Sequence, residues 1–182
     1  PNLISMMRIA LVIPIVIALL LGSYLSALVL FFVAGVSDGL DGYLAKHYGW
    51  VSRLGSILDP IADKILLASS FLVLAWLSHI PVWLVLTVIM RDIIIIVGAG
   101  AFYLHMGHCE MMPTVIGKLN TCVQIVLVFT VVTVLADVVA LPLGVVDVLV
   151  DFVLVTTVIS GADYVWTWSQ LARREKFKHS SH

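Results

Sequence analysis

Charge is what this sequence has least of, and the shortage excludes most of the classes open to a 182-residue chain. Only 12% of its residues are Asp, Glu, Lys or Arg, and 62% are hydrophobic. Soluble domains carry roughly 25% charged residues, so the composition is that of a membrane protein. The formal net charge of −1 provides no basic footprint, which argues against a nucleic-acid partner. Cysteine is also sparse. Cys109 and Cys122 have no metal-type CxxC spacing and read as a loop thiol and apolar filler. Short segments of alternating polarity, the mark of a membrane β-barrel, do not occur. The first apolar run is longer than a signal-peptide core, contains Arg8 and Pro14 and lacks an A-x-A site, so it is not expected to be a cleaved leader.

What the sequence does have is a series of apolar runs. Each is close to the ~20 residues that a helix needs to cross a bilayer core. Polar, Gly and Pro punctuation divides them at about 2–22, 24–46, 55–78, 82–104, 114–137 and 144–169. The expectation is an all-α integral membrane protein with six transmembrane helices in one domain, 1–182. Loop charge sets the orientation. Lys46, Arg53, Lys118, Arg173, Arg174, Lys176 and Lys178 fall on one set of connections and the tail. The opposite connections, "GSY", "SHIP" and "DVVALPLG", have no Lys or Arg. Both termini are therefore expected to be cytoplasmic.

Against this apolar background stands "DGLDGYLAKHYGWVSRLGSILDPIADK", residues 38–64. Asp38 and Asp41 are spaced i, i+3 at the end of the second run. Asp59 and Asp63 are spaced i, i+4 at the start of the third, so each pair shares a helix face. Singly, Asp59 before Pro60 reads as an ordinary helix start. Together, four acids at one membrane interface repel one another, and each costs about 2.5–3.5 kcal/mol at bilayer depth. Lys46 and Lys64 are too few to neutralise them. One or two divalent cations would, and oxygen ligands without His or Cys favour Mg²⁺ or Mn²⁺. Gly42, Ala45 and Gly55 lie on the same faces and leave room for a ligand or for tight helix packing. Lys46 offers a cation to a phosphate at the edge.

The string Asp38-x2-Asp41-Gly42-x2-Ala45-Lys46-x8-Gly55-x3-Asp59-x3-Asp63 resembles the signature of the CDP-alcohol phosphotransferase family, D-x2-D-G-x2-A-R-x8-G-x3-D-x3-D. The one departure is Lys46 in place of Arg, which keeps the charge but loses the two-pronged fork. The resemblance implies a metal-dependent, CMP-forming phosphatidyltransferase. Asp38, Asp41, Asp59 and Asp63 would hold two ions, and Asp63 would also act as general base. Gly42, Ala45, Lys46 and Gly55 would surround the nucleotide. The implied donor is CDP-diacylglycerol. The family precedent also implies a homodimer among membrane lipids, in a bacterial inner membrane with the active site at the cytoplasmic face.

The acceptor is less closely marked. "PNLISMMR" resembles the family's opening and brings Asn2, Ser5 and Arg8 to the level of the acids. Arg91, beside Asp92, and Lys118 are the other candidates for the acceptor or a lipid headgroup. "MRDIIIIVGAG" lacks the second Arg that glycerophosphate-accepting enzymes often carry, and "PTVIGKLNTCVQI" resembles the cardiolipin synthases. Phosphatidylglycerol is therefore the favoured acceptor, with glycerol-3-phosphate as the alternative. Asp147 and Asp151 are expected at the opposite face, and Trp83, Trp166 and Trp168 in interface belts. A small cation transporter is the distant rival. It is disfavoured because the acids cluster at one face and the spans show no inverted repeat. A non-catalytic lipid-binding scaffold is a second rival, and the intact Asp63 speaks against it.

Overall fold

The computed structural model describes the backbone of residues 2–48, 55–106, 115–142 and 144–179, and the side chains of 6–37, 39, 62–98, 115–142 and 144–167. Among these residues the regular secondary structure is all helix. The chain forms α1 (Asn2–Leu20), α2 (Tyr24–Tyr48), α3 (Gly55–Trp76), α4 (Val82–Met106), α5 (Val115–Leu135) and α6 (Val145–His179). These follow the six apolar runs, with one clear difference. α6 continues ten residues past the expected 169, through "ARREKFKH". Straight-chain Arg, Lys and Glu are good helix formers, and cations suit a helix C-terminus. Nothing in that segment interrupts the helix.

The chain divides into two compact units. The first comprises Pro1–Val82 and Ile125–Val146. In it α1 packs on both α2 and α3. Arg8, Val12, Ile15 and Leu19 form one buried stripe of α1 at helical spacing. Ala27 and Ala34 of α2 and Ala62 of α3 are buried and keep side-chain bulk out of the packing. Leu67, Phe71 and Leu74 of α3 and Leu127, Val128 and Val132 of α5 fill the rest of this core. Pro14 lies inside α1 and removes one backbone bond from it.

Three helix ends in this unit share one device. Ser23 N donates to Ala18 O and Gly22 N to Leu19 O after α1, with Gly22 at φ 71°. The same pair of bonds closes α3 at Ser78 (φ 60°) and α5 at Asp137 (φ 53°). This is the Schellman arrangement, in which a left-handed residue turns the chain back on the last open carbonyls. Only the first of the three uses the glycine that this conformation favours.

The second unit comprises Trp83–Gln124 and Asp147–His182. Its buried residues include Leu84, Val85 and Val88 of α4 and Val150 and Val153 of α6. They also include Arg91, Asn120, Gln124, Thr156, Thr157 and Ser160. Meanwhile Leu86, Ile96, Val97, Val148, Val158 and Trp166 are exposed. Polar groups inside and large apolar groups outside is the reverse of a water-soluble protein, and it matches a lipid solvent. Val115–Leu135 and Val145–Thr167 are long and apolar enough to cross a membrane.

Candidate active site

Asp63 is the ninth residue of α3 and the member of the four-acid pattern whose side chain the structure describes. Arg8 of α1 meets it: Nη1 donates to Asp63 Oδ1 at 2.5 Å. The two partners sit in different surroundings. The Arg8 side chain is 3% exposed and that of Asp63 is 42% exposed. A guanidinium this deeply buried must be paired, because an uncompensated charge away from water is costly. Asp63 supplies the compensation.

The pair lines an otherwise apolar chamber of about 120 Å³. Phe31, Leu66, Leu67 and Val128 form much of its wall. Ala34 and Gly35 of α2 complete it. Residue 38 follows them by one helical turn on the same face of α2, so the register puts Asp38 next along from a chamber that Asp63 also lines. Asp41, Gly42, Ala45 and Lys46 continue along α2, and Gly55 and Asp59 open α3. Their side chains, like those of Asn2 and Asp38, lie outside the described residues.

The donor chemistry is consistent with a hard divalent cation. A carboxylate has two oxygens and about four lone-pair sites, so Asp63 can accept from Arg8 and still contribute to a metal cage. Among the described residues no group of three or more His, Cys, Asp or Glu forms a cage by itself. The other three expected ligands are outside that set.

The remaining candidates fall in the second unit. Lys118 is exposed on α5. Arg91 is 8% exposed, donates to the adjacent Asp92 at 2.7 Å and to Ser160 Oγ on α6 at 2.5 Å, and lies 5.7 Å from the centre of the Tyr164 ring. Near it in sequence register, Thr156 and Thr157 both donate to Asn120 Oδ1 at 2.9 Å. Three buried donors, Arg91 Nε, Asn120 Nδ2 and Gln124 Nε2, have no hydrogen-bond partner among the described residues.

Sequence reasoning did not find the contact between Arg8 and Asp63, because its partners are 55 positions apart. It also missed Thr156, Ser160 and Tyr164. The signal for these was present, since hydroxyl residues at i, i+4 and i+8 interrupt the apolar run of α6.

Comparison with known proteins gives the geometry its context. The CMP-forming cardiolipin synthase of Rattus norvegicus is 36% identical over 146 residues, which cover 70% of this chain and 48% of that protein. The Streptomyces coelicolor cardiolipin synthase (CMP-forming) is 34% identical over 128 residues, 66% of this chain and 59% of that protein. The CDP-diacylglycerol–glycerol-3-phosphate 3-phosphatidyltransferase of Bacillus subtilis is 30% identical over 145 residues, 70% of this chain and 73% of that protein. The chain thus spans about half the length of the rat enzyme it matches. A family model described as CDP-alcohol phosphatidyltransferase matches residues 1–159. That match takes in the four-aspartate signature together with the α1 arginine that meets its last member, and by it this chain belongs to the CDP-alcohol phosphatidyltransferase family.

Proposed function

We propose that the chain transfers a phosphatidyl group from CDP-diacylglycerol to an alcohol and releases CMP. The favoured acceptor is phosphatidylglycerol, which would make it a cardiolipin synthase, and glycerol-3-phosphate is the alternative. The observation that carries this reading is the position of Asp63, a half-exposed carboxylate lining a chamber walled by Phe31, Leu66, Leu67 and Val128. Acid beside oil is what a reaction on a lipid-linked phosphate requires. The chamber has room for a few methylene groups next to the reacting headgroup.

In this reading Asp63 takes the proton of the acceptor hydroxyl. The acceptor oxygen forms its bond to the lipid-linked phosphorus. The bond from that phosphorus to the bridging oxygen of the diphosphate breaks, and CMP leaves with the electron pair. Lys46 contacts the nucleotide phosphates, while Gly42, Ala45 and Gly55 leave space for the nucleotide. Asp38, Asp41, Asp59 and Asp63 would hold Mg²⁺ or Mn²⁺, whose charge offsets that of the diphosphate and the departing CMP. Asn2, Arg91 and Lys118 are the acceptor and headgroup candidates. The full proposal is a single domain of six spans with both termini and the site at the cytoplasmic face of a bacterial inner membrane, working as a homodimer.

The test is a reconstitution of purified protein with CDP-diacylglycerol, Mg²⁺ or Mn²⁺, and both acceptors in competition. CMP release and lipid mass spectrometry are the readouts. Cardiolipin as the main product supports the favoured reading, and phosphatidylglycerophosphate transfers it to the alternative. No CMP with either acceptor, or full turnover in the presence of a chelator, overturns it.

A further inference from the structure

We propose that Arg8 is the positioning residue of this site: its buried guanidinium grips the Oδ1 edge of Asp63 and so fixes the direction from which that carboxylate meets an acceptor hydroxyl. The inference rests on the reading of Asp63 as the proton acceptor.

Four features of the structure lead to it. Arg8 falls on the stripe Arg8–Val12–Ile15–Leu19, the buried face of α1, and not on the lipid-exposed face with Met6, Ile13 and Ile17. It is therefore not a cation snorkelling from a span toward the interface. Secondly, exposure within the pair is lopsided, 3% for Arg8 and 42% for Asp63. The carboxylate is the accessible member of the pair. Thirdly, Asp63 lines the same chamber as Ala34 and Gly35, whose small size keeps side-chain bulk out of it. Fourthly, the contact joins two helices that pack on each other.

Folding by itself is a weak reason to bury such a pair, because desolvation largely cancels its attraction. Orientation is a stronger one. A carboxylate on a helix can rotate about two side-chain bonds, whereas a productive proton transfer needs one heavy-atom direction and a short separation. A hydrogen bond from a guanidinium that is itself held in the core restrains that rotation.

The experiment uses the full chain in lipid nanodiscs: wild type, Arg8→Gln, Arg8→Lys, Asp63→Asn and the double variant Arg8→Gln/Asp63→Asn. CDP-diacylglycerol binding stoichiometry counts the folded sites, and steady-state CMP release gives kcat and KM separately. Arg8→Gln is expected to bind one donor per chain with KM within ~3-fold of wild type, while kcat falls about 100-fold. Arg8→Lys should recover part of that loss. The double variant should be no slower than Asp63→Asn, because the two residues act as a unit. Its Tm loss should fall short of the sum of the two single losses.

Several results overturn the proposal: kcat within ~2-fold of wild type in Arg8→Gln, a loss that falls wholly on KM, or a double variant slower than Asp63→Asn by the full Arg8→Gln factor. If Arg8→Gln does not fold, Arg8→Lys alone and combined with Asp63→Asn decides by the same criteria. A wild-type protein that releases no CMP defeats the reading of the reaction and this proposal with it. An active wild type with an indifferent Arg8 defeats this proposal alone.

Discussion

Arg91 of α4 donates to Ser160 of α6 at 2.5 Å, across 69 residues of sequence, and both side chains are buried. With the Asp92 carboxylate and the Tyr164 ring, Ser160 surrounds a guanidinium in the second unit. Ser160→Ala removes one acceptor from a cation whose Nε already has no partner among the described residues. The variant should lose about 1–3 kcal/mol of stability, the cost of stranding a buried donor. Thermal unfolding in a fixed detergent measures it, and an unchanged Tm would show that the hydroxyl is dispensable.

The three left-handed helix ends yield a prediction with two signs. A residue other than glycine at φ near +60° is strained by its Cβ. Ser78→Gly and Asp137→Gly should each stabilise by about 0.5–1 kcal/mol after the flexibility of glycine is allowed for. Gly22→Ala should do the opposite and cost about 1–2 kcal/mol, even though a Cβ there meets nothing within 4 Å. The same unfolding assay reads all three, and activity should stay unchanged.

Asp63→Asn keeps the shape of the side chain and removes its proton-accepting ability. CMP release should fall by at least about 100-fold, the usual contribution of a general base. Donor binding should persist, because the other three proposed ligands, Asp38, Asp41 and Asp59, remain. Normal turnover by this variant would remove Asp63 from the mechanism.

Gly35 tests the apolar chamber. A Cβ at this position meets nothing within 4 Å, so α2 tolerates a side chain there. Gly35→Leu should place its branch in the chamber beside Phe31 and Leu66. The expected result is a several-fold higher KM for a long-chain CDP-diacylglycerol, with a smaller effect on a short-chain analogue. Equal KM values for both donors, unchanged from wild type, would mean that acyl chains do not use this space.

The helices were legible because apolar runs of membrane length have few other ways to satisfy their backbone. The spacing of Asp38, Asp41, Asp59 and Asp63 was legible for a related reason, since register on a helix follows directly from position. Partners distant in the chain were not. Arg8 has no local feature that names Asp63, and Ser160 none that names Arg91, because the packing of whole helices brings them together. The helix α6 outruns its apolar stretch for a different reason. Hydrophobicity ends near residue 169, but helix propensity does not, and the two signals part company in "ARREKFKH".

The inverted distribution of polarity has a practical consequence. Each unit keeps Arg, Asn, Gln or Ser groups within and turns Leu, Ile and Val outward, so water cannot serve as the reference medium for its thermodynamics. The surrounding amphiphile completes the molecule's exterior. A melting temperature for this chain therefore describes a protein–amphiphile pair, and swapping one detergent for another changes the substance being measured.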